Sequence, residues 1–200
     1  MSTSTPLTGA DDINRWLTVR ETVMELHLHS HHFTHRMPDW RAAVWAGAIA
    51  GAVFLLLGAF LMAVVTEQDP RVPPHMIAAI ILGRGAMQSA EALPVGIVVA
   101  ALVVHFALAV LFAVILSVII ASFSLDSSLA MASLAGLAFG LGIYLINFYG
   151  MTRFFPWFAE ARNWANVLAH IVFGVVAAGA YMRLERKVRQ SGESDTGDVR

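Results

Sequence analysis

Four long runs without Asp, Glu, Lys or Arg dominate the chain: residues 42–65, 94–125, 127–152 and 163–182. A helix rises ~1.5 Å per residue, so each run supplies the roughly 20 apolar residues needed to cross ~30 Å of hydrocarbon. No water reaches that depth to satisfy backbone N–H and C=O groups, so a spanning segment must satisfy them internally, as a helix does. The pattern predicts an all-α integral membrane protein, a four-transmembrane-helix bundle with spans at about 42–65, 94–121, 128–150 and 163–182.

The polar stretches divide the rest. Residues 1–40 form an arm whose first ten positions are rich in Ser and Thr, followed by a segment, 11–26, with apolar residues near one helical face. The histidines His27, His29, His31, His32 and His35 come next, then Pro38-Asp39-Trp40-Arg41, an interfacial entry with Trp at headgroup depth and Arg facing phosphates. Some forty mostly polar residues thus precede the first span, unlike a secretory signal, whose short apolar core lies near the start. The first connection holds Pro70, Pro73, Pro74 and an apolar stretch, His75–Met87, that is too short to span and predicts an interfacial or re-entrant helix. The second connection, Ser122–Ser128, is tight, and Phe154-Phe155-Pro156-Trp157-Phe158 makes an aromatic belt before the last span. The transmembrane domain is read as 41–184, and 185–200 as a tail, basic and then disordered.

Charge sets the orientation. The arm and tail carry nine Lys and Arg residues, while the other side carries four, Arg71, Arg84, Arg153 and Arg162. That bias places both ends of the chain in the cytoplasm of a bacterial inner membrane. Composition agrees with residence in lipid: 58% of residues are hydrophobic and only 14% charged, against about 25% charged in soluble domains. The near-neutral balance of -1 points away from nucleic acid, and zero cysteines exclude disulfides, thiolate metal sites and covalently attached haem.

An internal repeat accompanies the spans. Ala50-Gly51-Ala52-Val53-Phe54 in the first resembles Ala135-Gly136-Leu137-Ala138-Phe139 in the third, and His105 in the second matches His170 in the fourth. Ala109 and Gly174 each follow four residues later. Two hairpins of one orientation, a duplicated two-helix unit, is the architecture this predicts. Gly47/Gly51 and Gly136/Gly140 have Gly-x-x-x-Gly spacing and are expected to pack helices within the bundle.

From about Trp40 to Leu184 the chain resembles a family of small bacterial four-helix inner-membrane proteins. The residues that carry the likeness are Trp40-Arg41-Ala42-Ala43-Val44-Trp45-Ala46-Gly47, Pro74-His75-Met76-Ile77-Ala78-Ala79-Ile80-Ile81-Leu82-Gly83, Val104-His105-Phe106, Asn147-Phe148-Tyr149-Gly150, Phe155-Pro156-Trp157-Phe158 and Ala161-Arg162-Asn163 with His170-Ile171-Val172-Phe173-Gly174. Members are often labelled "sodium:proline symporter", but such symporters need ten or more helices, some of them broken at the substrate site. The resemblance therefore implies a fold and brings no activity with it.

Three groups of residues invite chemistry. His105 and His170 lie within spans, where ionisable side chains are rare and costly. At ~1.5 Å per residue they lie ~16 and ~10 Å below the outer ends of their helices, comparable heights for a haem b held by one imidazole from each. The simpler expectation is that each neutral ring bonds a backbone carbonyl, Asn147 or Asn166. Toward the outer surface gather Asn147, Arg162, Asn163 and Asn166, either a polar mouth for a solute or quinone headgroup or ordinary interfacial polarity and helix caps. On a helix, His27, His31 and His35 would share a face at a spacing that suits Zn, Cu or Ni, unless they form a solvated arm. No catalytic motif emerges, so a structural or accessory membrane component is expected, without a cofactor. Its partners would be the lipid bilayer, a second copy or a membrane-complex partner. A haem- or quinone-linked redox protein and a small-solute or ion transport component are the alternatives.

Overall fold

The computed structural model describes residues 37–66, 69–88 and 93–197, and all regular structure among them is helical. Helix α1 (Trp40–Phe60) continues through a π-helical turn, Leu61–Thr66. The short α2 (Val72–Leu82) leads into a 3-10 turn, Arg84–Gln88. Then come α3 (Val95–Ser122), α4 (Leu129–Leu145) with a π-helical turn at Ile146–Gly150, and α5 (Trp164–Gly197). Four helical stretches are long and apolar enough to cross a membrane: Trp40–Val64, Val95–Ser122, Leu129–Arg153 and Trp164–Lys187.

The helix ends follow local chemistry. Asp39 Oδ1 accepts from the backbone N–H of Arg41 at 2.9 Å and of Ala42 at 3.0 Å, which satisfies donors that α1 itself leaves open. Pro73 and Pro74 sit in the first turn of α2, where no intrahelical N–H bond is lost. That helix stops at Gly83, whose φ of 77° suits a residue without Cβ. Between α3 and α4, Ser124 takes the left-handed conformation at φ 51°, and Ser128 Oγ accepts from Met131 N–H at 3.1 Å to start α4.

Helix α5 packs between α4 and α1, α1 packs in turn on α3, and α2 lies along α3. Although a tight turn joins them, α3 and α4 touch each other little. Small residues fill the contacts. Ala43, Ala46 and Ala50 of α1 are wholly buried, as is Ala178 of α5, whereas Leu56 is 73% and Val103 60% exposed. This inverts the soluble pattern, because lipid tails are as apolar as a leucine and burying one gains little. Asp39 N–H donates to Tyr181 Oη at 3.3 Å, so the start of α1 lies beside the C-terminal end of the last span.

Two crossings bring backbones together. A Cβ on Gly47 would lie 2.6 Å from Val110 Cα of α3. A Cβ on Gly136 would meet the Gly174 carbonyl, one on Gly140 the His170 carbonyl, and one on Gly174 the Gly136 carbonyl. Both Gly-x-x-x-Gly pairs are thus used inside the chain.

The first two spans fall within one or two residues of their predicted bounds, the third ends three residues later and the last five, and the apolar stretch after Pro74 is helical as expected, in two pieces. The difference lies at the end: α5 runs on to Gly197, through residues expected to be disordered. No proline follows Pro156, so nothing covalent interrupts the hydrogen-bonded ladder there. Residues 1–36 of the arm, with its amphipathic segment, lie outside the described residues.

Gly136→Ala should lower stability by about 1–3 kcal/mol through forced separation of α4 and α5. Gly142→Ala, with nothing within 4 Å of its Cβ, should leave it unchanged. Reversible unfolding of both variants in mixed micelles measures the contrast.

Candidate functional site

The close approach of α1 to α3 fixes the first histidine. Gly51 carries no side chain, and a Cβ there would meet Ala109 Cβ at 2.9 Å. Its carbonyl is thereby open to His105, whose Nε2 lies 3.0 Å away. In α5, His170 turns back along its own helix, and Nδ1 lies 2.7 Å from the Asn166 carbonyl. A carbonyl only accepts, so each of these ring nitrogens is the N–H donor. A charged imidazole at this depth is costly, and in a neutral ring the other nitrogen, Nδ1 of His105 and Nε2 of His170, carries the lone pair.

Phe54 packs against both imidazoles, its centroid 5.5 Å from His105 and 4.9 Å from His170, edge-on to the latter at 89°. Phe148 makes a second edge contact with His170 at 5.4 Å. Around this group lies a cavity of about 210 Å³. Its wall takes Phe54 from α1, Met76, Ile77 and Ile80 from α2, and His105 and Phe112 from α3. Asn147 and Phe148 come from the turn that ends α4, and Asn166, His170 and Phe173 from α5. Phe158 and Glu160, from the 3-10 turn Pro156–Ala161, close its outer side.

Helix α2 is clasped over the cavity. Trp157 Nε1–H donates to the Met76 carbonyl at 3.2 Å, and the Arg84 guanidinium lies 5.9 Å above the Trp157 ring. At the other end of α2, Arg71 grips Asp69 with Nε at 2.9 Å from Oδ1 and Nη2 at 2.6 Å from Oδ2. The Arg71 hydrogen bond lowers the Asp69 carboxyl to about 2, and the same bond raises Arg71. Both groups are exposed, so the pair adds little to stability. One turn on, His75 Nδ1 donates to the Arg71 carbonyl at 2.8 Å, while its buried Nε2 has no partner.

The outer polar residues divide by role. Arg162 and Asn163 serve the backbone: Arg162 Nε donates to the Phe148 carbonyl at 2.6 Å, its guanidinium lying 4.4 Å from the centroid of the Tyr149 ring. Asn163 Oδ1 accepts from Asn166 N–H at 2.9 Å and caps α5. Asn147 and Asn166 instead border the cavity, and Asn166 Nδ2 donates to the Ala161 carbonyl at 2.7 Å. His27, His31 and His35 lie outside the described residues. Among those described, no three His, Cys, Asp or Glu side chains group as a metal site.

A cavity of ~150 Å³ accepts benzene and drug-sized ligands occupy ~300–1,000 Å³, so about 210 Å³ suits a single ring better than a haem macrocycle. Phe54, the cavity-facing side of α2 and the Trp157 clasp did not stand out as site residues in the sequence. The one signal was the recurrence of Phe54 in the repeat. No family model, curated protein or solved structure matches the chain.

The lowered Asp69 carboxyl favours the folded state above its unfolded value of about 3.9, and that contribution is lost as pH falls toward 2. Carboxyl-carbon NMR should follow Asp69 titrating near 2 in the intact protein and returning to the ordinary carboxylate range in Arg71→Gln.

Proposed function

We propose that this protein is a non-enzymatic accessory component of a bacterial inner membrane, a four-helix bundle that retains a small apolar ligand beneath α2. The observation that carries this reading is the make-up of the cavity wall, which draws side chains from every long helix and from α2. A molecule held there touches all the packed elements at once, so its presence or absence bears on how the whole bundle sits. The bilayer is the first partner, and the outward-facing large apolar residues suit either lipid or a second membrane subunit.

The bundle is proposed to be a duplicated hairpin. Gly51 packs on Ala109 in one pair of helices and Gly136 on Gly174 in the other, corresponding positions of the repeat. Both ends of the chain are assigned to the cytoplasm, because basic residues concentrate there by nine to four. The likeness of Trp40–Leu184 to small bacterial inner-membrane proteins supports the location. A transport pathway is less well supported, since Asn147, Asn166 and Glu160 gather at one end of the cavity wall and leave the other half of the spans apolar.

The ligand reading is tested on protein purified in mild detergent and in lipid nanodiscs, with solvent extraction and mass spectrometry. A small apolar molecule should accompany the wild type at near-stoichiometric amount and be lost from Ile80→Trp, which fills the cavity from α2. A wild type that carries no such molecule in either medium sinks the reading. Orientation is tested with single cysteines at the exposed positions Ser127 and Ala159 in this cysteine-free chain. A membrane-impermeant thiol reagent added to intact cells should label position 159 only.

A further inference from the structure

We infer that the cavity selects a small aromatic ring bearing hydroxyl donors, the phenol and hydroquinone class, which donates to Nε2 of His170. This rests on the reading that the cavity holds a ligand, and it adds which one.

The argument is an accounting of donors. Four neutral polar side chains border the cavity: His105, His170, Asn147 and Asn166. Three have already spent N–H groups on backbone carbonyls, those of Gly51, Asn166 and Ala161 in turn. Each imidazole is left with a lone pair and no second N–H, while Asn166 keeps its Oδ1 and one Nδ2–H. Glu160, at the exposed rim, is a further acceptor. Asn147 and Asn166 thus keep both kinds of group, and the imidazoles only an acceptor.

The free nitrogen of His170 is also reachable. His170 is 7% exposed as a residue. Its Nε2 bonds no protein group, yet is not among the sealed polar atoms, unlike Nε2 of His75. For a buried residue that lines a cavity, the remaining open side is the cavity itself. A buried acceptor left without a donor is costly, so a ligand that supplies one is favoured over an equal shape that does not.

The shape of the space and its aromatic wall give the ring. Phe54, Phe148, Phe158 and Phe173 surround a volume a little larger than benzene requires. An oxidised quinone would bring only acceptors, which the two imidazole lone pairs cannot meet. A metal ion would need more ligands than two imidazoles, and no three His, Cys, Asp or Glu side chains group among the described residues.

The test titrates the full-length protein in nanodiscs with benzene, anisole, phenol, hydroquinone and 1,4-benzoquinone, read by ligand-observed NMR against empty nanodiscs. Phenol should bind about tenfold more tightly than anisole, its O-methyl ether, the ratio expected of one hydrogen bond. Hydroquinone should likewise exceed benzoquinone. His170→Phe should keep benzene and anisole but bring phenol down to the level of anisole. Because the comparison among ligands needs only wild type, it decides the matter even if that variant fails to fold. Phenol no tighter than anisole, with benzene still bound, overturns the donor inference and leaves the cavity reading standing. Binding of none of the five overturns both.

Discussion

Inside hydrocarbon, two helices gain nothing by hiding leucines from their surroundings, so what holds them together is how near their backbones can come. The contact of Gly136 and Gly140 with the carbonyls of Gly174 and His170 is where this chain meets that constraint most fully. It seats α5 on α4. Helix α5 also packs on α1, and α1 offers Gly47 and Gly51 to α3. Each of these close contacts uses residues that have almost no side chain.

The same contacts explain how the histidines are held. Gly51 serves twice, admitting α3 and presenting its carbonyl to His105. His170 occupies the matching place in the second hairpin but bonds a carbonyl of its own helix. Against α5, it is the His170 carbonyl that borders Gly140, so the residue takes part in the helix crossing through its backbone and in the cavity through its ring.

The spans were legible in the sequence because the cost of a charge in lipid is severe enough to leave long runs empty of them. His105 and His170 were legible for the same reason, as the only ionisable side chains in their spans apart from tyrosines. What they do was not. The partner of His105 is a backbone carbonyl 54 positions away, which no side-chain pattern encodes, and Phe54 reads as one more apolar residue until α1 is placed against α5. The length of the stretch after Pro74 showed that it does not span. Which neighbour α2 covers is set by its packing on α3 and by the tertiary bond from Trp157 to Met76, neither of which the sequence pattern encodes. Arg162 and Asn163 looked like the mouth of a site because interfacial polar residues are alike in sequence, whether they meet a ligand or a neighbouring helix end.

The placement of charge has a consequence for how the protein experiences an energised membrane. Among the described residues every formal charge lies at or beyond the end of a span, and the two intramembrane imidazoles are held as neutral rings on backbone carbonyls. Carrying one elementary charge across the bilayer is worth ~2.3 kcal/mol per 100 mV. A bundle that opens, tilts or closes around its cavity without transporting such a charge does no work against that field. Its equilibria should therefore be indifferent to membrane potential, the same in a resting cell as in a respiring one.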